Sequence, residues 1–193
     1  MTSTTDAGRV LMTGENSFVR LSHDGGQTLS ERTSHWRVLW CPAGAGHALF
    51  MTGALTDERV RVYSDNAGVA RWLQQTIESV LFPDFADPSI PIIAAEFARS
   101  GDPRGTVTET IASNSDLIEM TWWDCGVPFV INAPGAVTGR PIGVYTTFFP
   151  ARSAQLSLND EFGSGQPWSE AREDRDSSSA VLAWSETWVK SAT

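Results

Sequence analysis

Residues 59–82 read RVRVYSDNAGVARWLQQTIESVLF, and within them the hydrophobic period changes from two to 3.6. Over Arg59–Ser64 the alternation predicts a strand with Val60 and Val62 inward and Arg59, Arg61 and Tyr63 outward. From Asn66 to Phe82 the apolar residues Val69, Trp72, Leu73, Ile77, Val80 and Leu81 form one stripe of a helix. Ser64 or Asp65 is the expected N-cap, and Pro83 stops the helix. This is the one convincing helix, about 66–82, and it is expected to lie against a sheet or to close one end of a barrel.

Everything around that helix reads as strand. Upstream, Arg9–Thr13, Ser17–Ser22, Ser34–Cys41 and His47–Thr52 are separated by Asp24-Gly25-Gly26 and by Pro42–Gly46, both turn signals. Ser34–Cys41 places Trp36, Val38 and Trp40 on one face and His35, Arg37 and Leu39 on the other. Downstream, strands are expected at Ile92–Ala98, Gly105–Ala112, Leu117–Asp124, Phe129–Asn132, Ile142–Phe149, Ala154–Leu158 and Ala180–Val189, with glycine- and proline-rich breakers between them. The predicted fold is a single mainly β domain over 1–193, an antiparallel barrel or two-sheet sandwich of roughly ten strands with the helix packed on it. Residues 1–8 are expected to be disordered. Residues 160–179 read as a solvated polar loop, with a lid as the sharper alternative. The strand number and single helix resemble calycin-type barrels, which implies a lipocalin-like carrier of a hydrophobic or sugar-containing ligand.

Composition removes several functions. The net charge of −9 and pI of 4.7 oppose nucleic acid or an anionic membrane as partner, since phosphate binding needs a basic footprint. No apolar run approaches the ~20 residues that span a bilayer. Met1–Gly8 is polar and acidic, unlike a secretory signal. Cys41 and Cys125 stand far apart, as two reduced thiols in a cytoplasmic protein would.

Known motifs are missing as well. Ala43-Gly44-Ala45-Gly46 offers a G-x-G but leads into a strand, so no nucleotide cradle forms. His23, His35 and His47 lie on or beside strands of one meander, but each would bring a metal ligand from a different strand, and no metal or other cofactor is expected. Cys125 has no base beside it in the sequence to make it a nucleophile.

What remains is charge on apolar strand faces. In Ala180–Val189 the even positions are Ala180, Leu182, Trp184, Glu186 and Trp188, a glutamate between two tryptophans. Glu109 lies between Val107 and Ile111, and Asp124 follows Ile118, Met120 and Trp122 on one face; Glu96 is a weaker case. A buried carboxylate without partners costs several kcal/mol, so such residues are ion-paired, for example to Arg20 or Arg37, or lie on a face that is in fact wet with its aromatics exposed, or are functional. The functional reading makes Glu186 and Glu109, with Asp124, the acid and base of a cavity. Trp36, Trp40, Trp122, Trp184 and Trp188 form its walls, and Arg37 joins them as a substrate contact. The expected activity is cofactor-independent proton transfer on a small organic molecule, of isomerase, cyclase, hydratase or lyase type. The rival readings are a non-catalytic binding protein and an accessory subunit, with a homodimer or another protein as partner.

Overall fold

The computed structural model describes residues 9–135, 139–172 and 174–191; Met1–Gly8, expected to be disordered, lie outside the described residues. Four antiparallel strands open the chain: β1 (Val10–Ser22), β2 (Leu29–Cys41), β3 (Gly44–Gly53) and β4 (Arg61–Ser64). After the helix come β5 (Ile92–Ala94), β6 (Glu96–Gly101), β7 (Thr106–Ala112), β8 (Leu117–Cys125), β9 (Phe129–Ala133), β10 (Ile142–Leu158), β11 (Glu161–Phe162), β12 (Ser169–Arg172), β13 (Arg175–Ser178) and β14 (Ala180–Lys190). The main sheet runs in the order β5-β4-β3-β2-β1-β14-β10-β8-β7-β6. Its two ends, β5 and β6, are consecutive in the chain and separated only by Ala95, whose N–H donates to the Ser64 carbonyl at 3.1 Å. The sheet therefore nearly closes on itself as a ten-strand barrel, which leaves almost no free edge.

Helix α1 follows β4 as the period change requires. It combines an α segment, Ala67–Leu73, a π turn, Gln74–Glu78, and a last α turn, Ser79–Leu81. Its N-cap is Asn66, whose side chain accepts from the N–H groups of Gly68 and Val69, rather than Ser64 or Asp65. That leaves the Asp65 carboxylate for another use. The π turn widens the helix locally, and both Gln74 and Glu78 end fully buried. Gln74 is satisfied by donating to the carbonyls of Phe85 (2.7 Å) and Asp87 (3.0 Å).

Two apolar layers result, one on each face of the sheet. The lumen holds Val19, Leu21, Leu49, Met51, Tyr63, Ile111, Ile118, Met120, Trp122 and Leu156. Outside, between sheet and helix, lie Met12, Trp36, Val38, Phe50, Val62, Val69, Leu73, Ile77 and Trp188. Tyr63, expected to face water, is instead buried in the lumen, because both faces of β4 are covered. Its hydroxyl donates to Asp116 Oδ2 at 2.8 Å, and burial, with Asp116 beside it, pushes its pKa up to about 12.

Two irregularities override the strict alternation. In β2 the register against β1 slips between Val38 and Trp40, so Trp40 leaves the Trp36 face and is 51% exposed. In β14 the register slips against both β1 and β10 around Ser185, which has φ 56°. This is a β-bulge, and it reverses the faces beyond it. Trp184 faces the lumen side, where it packs on Phe149; Glu186 and Trp188 fall in the outer layer. The single face of Trp184, Glu186 and Trp188 expected from the sequence does not exist.

Gly14 marks how closely the strands approach there. A Cβ at this position would lie 2.1 Å from the Arg37 carbonyl oxygen, which is backbone and cannot swing away. Gly14→Ala is expected to lower stability by roughly 2–4 kcal/mol. Urea unfolding would show this as a lower midpoint at unchanged m-value; an unchanged midpoint would mean the strands have room.

Candidate active site at the barrel mouth

β2 and β3 pair with Arg37 opposite His47 and His35 opposite Leu49, so both histidines and Arg37 project to the lumen side near the β2–β3 turn. The antiparallel pairing of Ala48 with Ser64 then brings His47 beside Asp65, just past the end of β4. Asp65 grips His47 twice: Oδ1 accepts the backbone N–H at 2.6 Å, and Oδ2 lies 2.7 Å from Nδ1. The imidazole also stacks on Phe97, with ring centroids 5.2 Å apart and planes at 15°. These contacts fix the ring, and Nε2 has no hydrogen-bond partner among the described residues. His47 remains 29% exposed, so solvent and solutes reach it.

Below it, Arg99 lies between two carboxylates. Its Nε donates to Glu109 Oε1, which lies directly across from it in the β6–β7 register, and its Nη1 lies 2.8 Å from Glu15 Oε2. The guanidinium also sits 5.2 Å from the Trp184 ring centroid. Burial raises the Glu109 pKa, while Arg99 and the more distant His47 and Arg37 oppose the shift.

His35 is only 1% exposed, and neither ring nitrogen has a hydrogen-bond partner. Burial, reinforced by the nearby Arg99, His47 and Arg37, drives its pKa down to about 3. Its 3.9 Å approach to Glu109 is therefore not an ion pair near neutral pH. A buried polar group left orphaned in this way is the kind that ligands or water complete.

A shallow, open recess of about 300 Å³, walled by Pro103, Thr147, Phe149, Trp184 and Ser185, adjoins this cluster through the contact of Arg99 with Trp184. A wider recess, about 690 Å³, lies elsewhere, against the β12–β13 hairpin and Pro128, Pro150 and Trp168. It is lined by three carboxylates: Glu170, held in ion pairs to Arg20 and Arg172, both near the Phe18 ring, and Asp174 and Asp176. The hairpin belongs to the 160–179 segment and is tied down by the Arg20–Glu170 pair at 2.8 Å.

The residues singled out in the sequence scatter over four places. Glu109, Arg37, Trp184 and Trp122 belong to the lumen, where Trp122 is fully buried and donates to the Phe18 carbonyl at 3.2 Å. Glu186, Trp36 and Trp188 lie in the outer layer. Trp40 is exposed, and Asp124 is a surface residue with φ 53° that faces Arg152 at 3.6 Å. Glu109 and Glu186 thus lie on opposite faces of the sheet and do not share a cavity. Glu96 is exposed.

The outer layer has its own acid pair. Glu186 accepts from Trp188 Nε1 at 3.1 Å; Glu78 accepts from Trp36 Nε1 at 2.5 Å and Ser34 Oγ at 2.6 Å. The two indoles pack at 5.8 Å between centroids, and Asn16 donates to Ser34 at 2.9 Å. Burial pushes Glu186 up to about 8 and Glu78 up to about 7, in each case against the pull of its hydrogen bonds. Both carboxylates are enclosed by protein, which suits a structural role.

Arg99, Glu15 and Glu78 are not among the residues that sequence reasoning picks out, and His47 and Asp65 enter it only as a metal-ligand candidate and an N-cap candidate. For His47 and Asp65 a signal exists, since each sits one step beyond paired residues of a hairpin. Among the described residues no group of three or more His, Cys, Asp or Glu side chains is placed to hold a metal ion. Cys41 and Cys125 are free thiols. No described helix is long and apolar enough to cross a membrane. The chain matches no protein-family model, no curated protein and no solved structure.

Proposed function

We propose that this barrel is a cofactor-independent enzyme that moves a proton on a small organic molecule bound at its mouth, with His47 as the base. The observation that carries this reading is the Asp65–His47 pair: a ring oriented from both its backbone and its Nδ1, with the opposite nitrogen unpartnered and reachable. In the step, Nε2 takes a proton from a carbon next to a carbonyl. The C–H electron pair moves into the adjacent C–C bond, charge builds on the carbonyl oxygen, and the proton returns to carbon or oxygen. The recess beside Trp184 accepts the flat part of the substrate. Glu109, Arg99 and His35 form the floor. Two free thiols fit a reducing, cytoplasmic setting.

The test is deuterium uptake in D₂O, followed by proton NMR on a panel of small oxo acids and their esters. The protein is expected to speed exchange at the acidic carbon of at least one panel member, and His47→Gln to stop it. Saturable binding without exchange is the behaviour of a carrier and would overturn the enzymatic reading.

A further inference from the structure

Resting on the same mouth, we infer that its ligand is a small carboxylate with a flat apolar body, anchored by Arg37. Two guanidiniums stand at the mouth, and only one of them is already used. Arg99 is matched by Glu15 and Glu109, both within ion-pair distance. Arg37 is exposed, and its side chain has no hydrogen bond or ion pair among the described residues. It nevertheless belongs to this site, since it pairs across the strands with His47 on one side and Glu15 on the other, and its charge is felt by His35 and Glu109. Directly opposite residues in adjacent strands hold their Cβ atoms about 5 Å apart, so Arg37 and His47 can contact one small molecule together.

Charge points the same way. Glu15 and Glu109 both flank Arg99, and Asp65 is held against His47, so the carboxylates of the mouth are already engaged. That leaves the Arg37 guanidinium as the charge at the mouth without a counter-charge among the described residues, in a protein whose net charge is −9. A ligand carboxylate on the planar fork of Arg37 balances it, through paired N–H to oxygen bonds that a neutral group cannot reproduce. The orphaned His35 ring, 1% exposed, gives the site a further polar group without a partner. The flat body lies toward Phe97 and Trp184, and its acidic C–H faces His47.

Phenylpyruvate and its methyl ester make a matched pair of probes, alike in the flat body and differing in one charge and one methyl group. Calorimetric titration is expected to show the acid binding at least tenfold more tightly than the ester. Arg37→Gln should weaken the acid roughly 10- to 100-fold, to the level of the ester, and leave the ester unchanged. Arg37→Lys should recover part of the loss, and thermal unfolding of both variants should match the parent because the side chain is exposed. Equal binding of acid and ester, binding of neither, or indifference to Arg37→Gln overturns the carboxylate assignment. If exchange at the benzylic carbon persists while acid and ester bind equally, proton transfer by His47 stands and only the ligand class falls. If the acid binds through Arg37 but its benzylic protons never exchange, the ligand class stands and the enzymatic reading falls.

Discussion

Glu186→Gln is expected to make the protein more stable at pH 8.5 than the parent, by on the order of 3 kcal/mol, while changing little at pH 5. Glu186 is wholly buried with its pKa pushed up to about 8, against 4.5 for an ordinary glutamate. The folded state therefore holds its proton more tightly than the unfolded state does. The resulting stabilisation is complete below about pH 4.5 and is lost progressively as pH rises through the folded value. A tenfold difference in proton affinity between the two states is worth about 1.4 kcal/mol, which sets the scale of the loss. Glutamine keeps an oxygen for Trp188 Nε1 and removes the charge that alkaline pH would otherwise force into the layer. Glu78, raised to about 7, adds a second and smaller slope over the same direction of pH. The charged groups that act on these two acids are few: Arg32 favours ionised Glu78, and Glu15 opposes ionised Glu186. Chemical unfolding at several pH values checks this. A parent with flat stability between pH 5 and 8.5 would mean the layer admits water.

Asp65→Asn is expected to slow proton transfer by roughly 10²- to 10⁴-fold while leaving probe affinity within about threefold. The carboxylate accepts from His47 twice, and an amide can keep only part of that pattern because its nitrogen donates. A ring that turns, or takes the wrong tautomer, loses the base even though every other contact survives. His47→Gln should cost about as much as Asp65→Asn, and the double variant little more, as expected for groups that act as a unit. Single-turnover exchange rates in D₂O make the comparison. Losses that simply multiply would mean the two residues act separately.

How much of this is legible in the sequence depends on which physical rule governs each residue. The helix expected over about 66–82 is found over 67–81, because a strong 3.6-residue stripe and a proline stop leave little freedom. The strand at 105–112 likewise falls within one residue of its expected bounds. The two halves expected at 142–149 and 154–158 are one strand, since Pro150 sits within β10 without breaking it. Faces are harder to read than elements. Alternation has period two only while the register holds, and the extra residue at Ser185 sends Glu186 to the layer opposite Glu109. Nothing in the local composition announces a bulge at a serine. The site residues are hidden for another reason: His47, Asp65, Arg99 and Glu15 come from four separate segments, and only the closing of the barrel brings them together. Asp65 is also masked by its place ahead of a helix, where an N-cap is the ordinary explanation and Asn66 is the actual cap.

If the mouth around His47 is where chemistry happens, long-range ¹H–¹⁵N correlation of the histidine rings, recorded with and without phenylpyruvate, will report it. The free protein should show His47 as a fixed ring with its proton on Nδ1 toward Asp65, and added phenylpyruvate should move the Nε2 signal of His47 far more than that of His23. A probe that shifts His23 alone, or leaves all three histidines unmoved at saturation, would rule out His47 as the centre of the site.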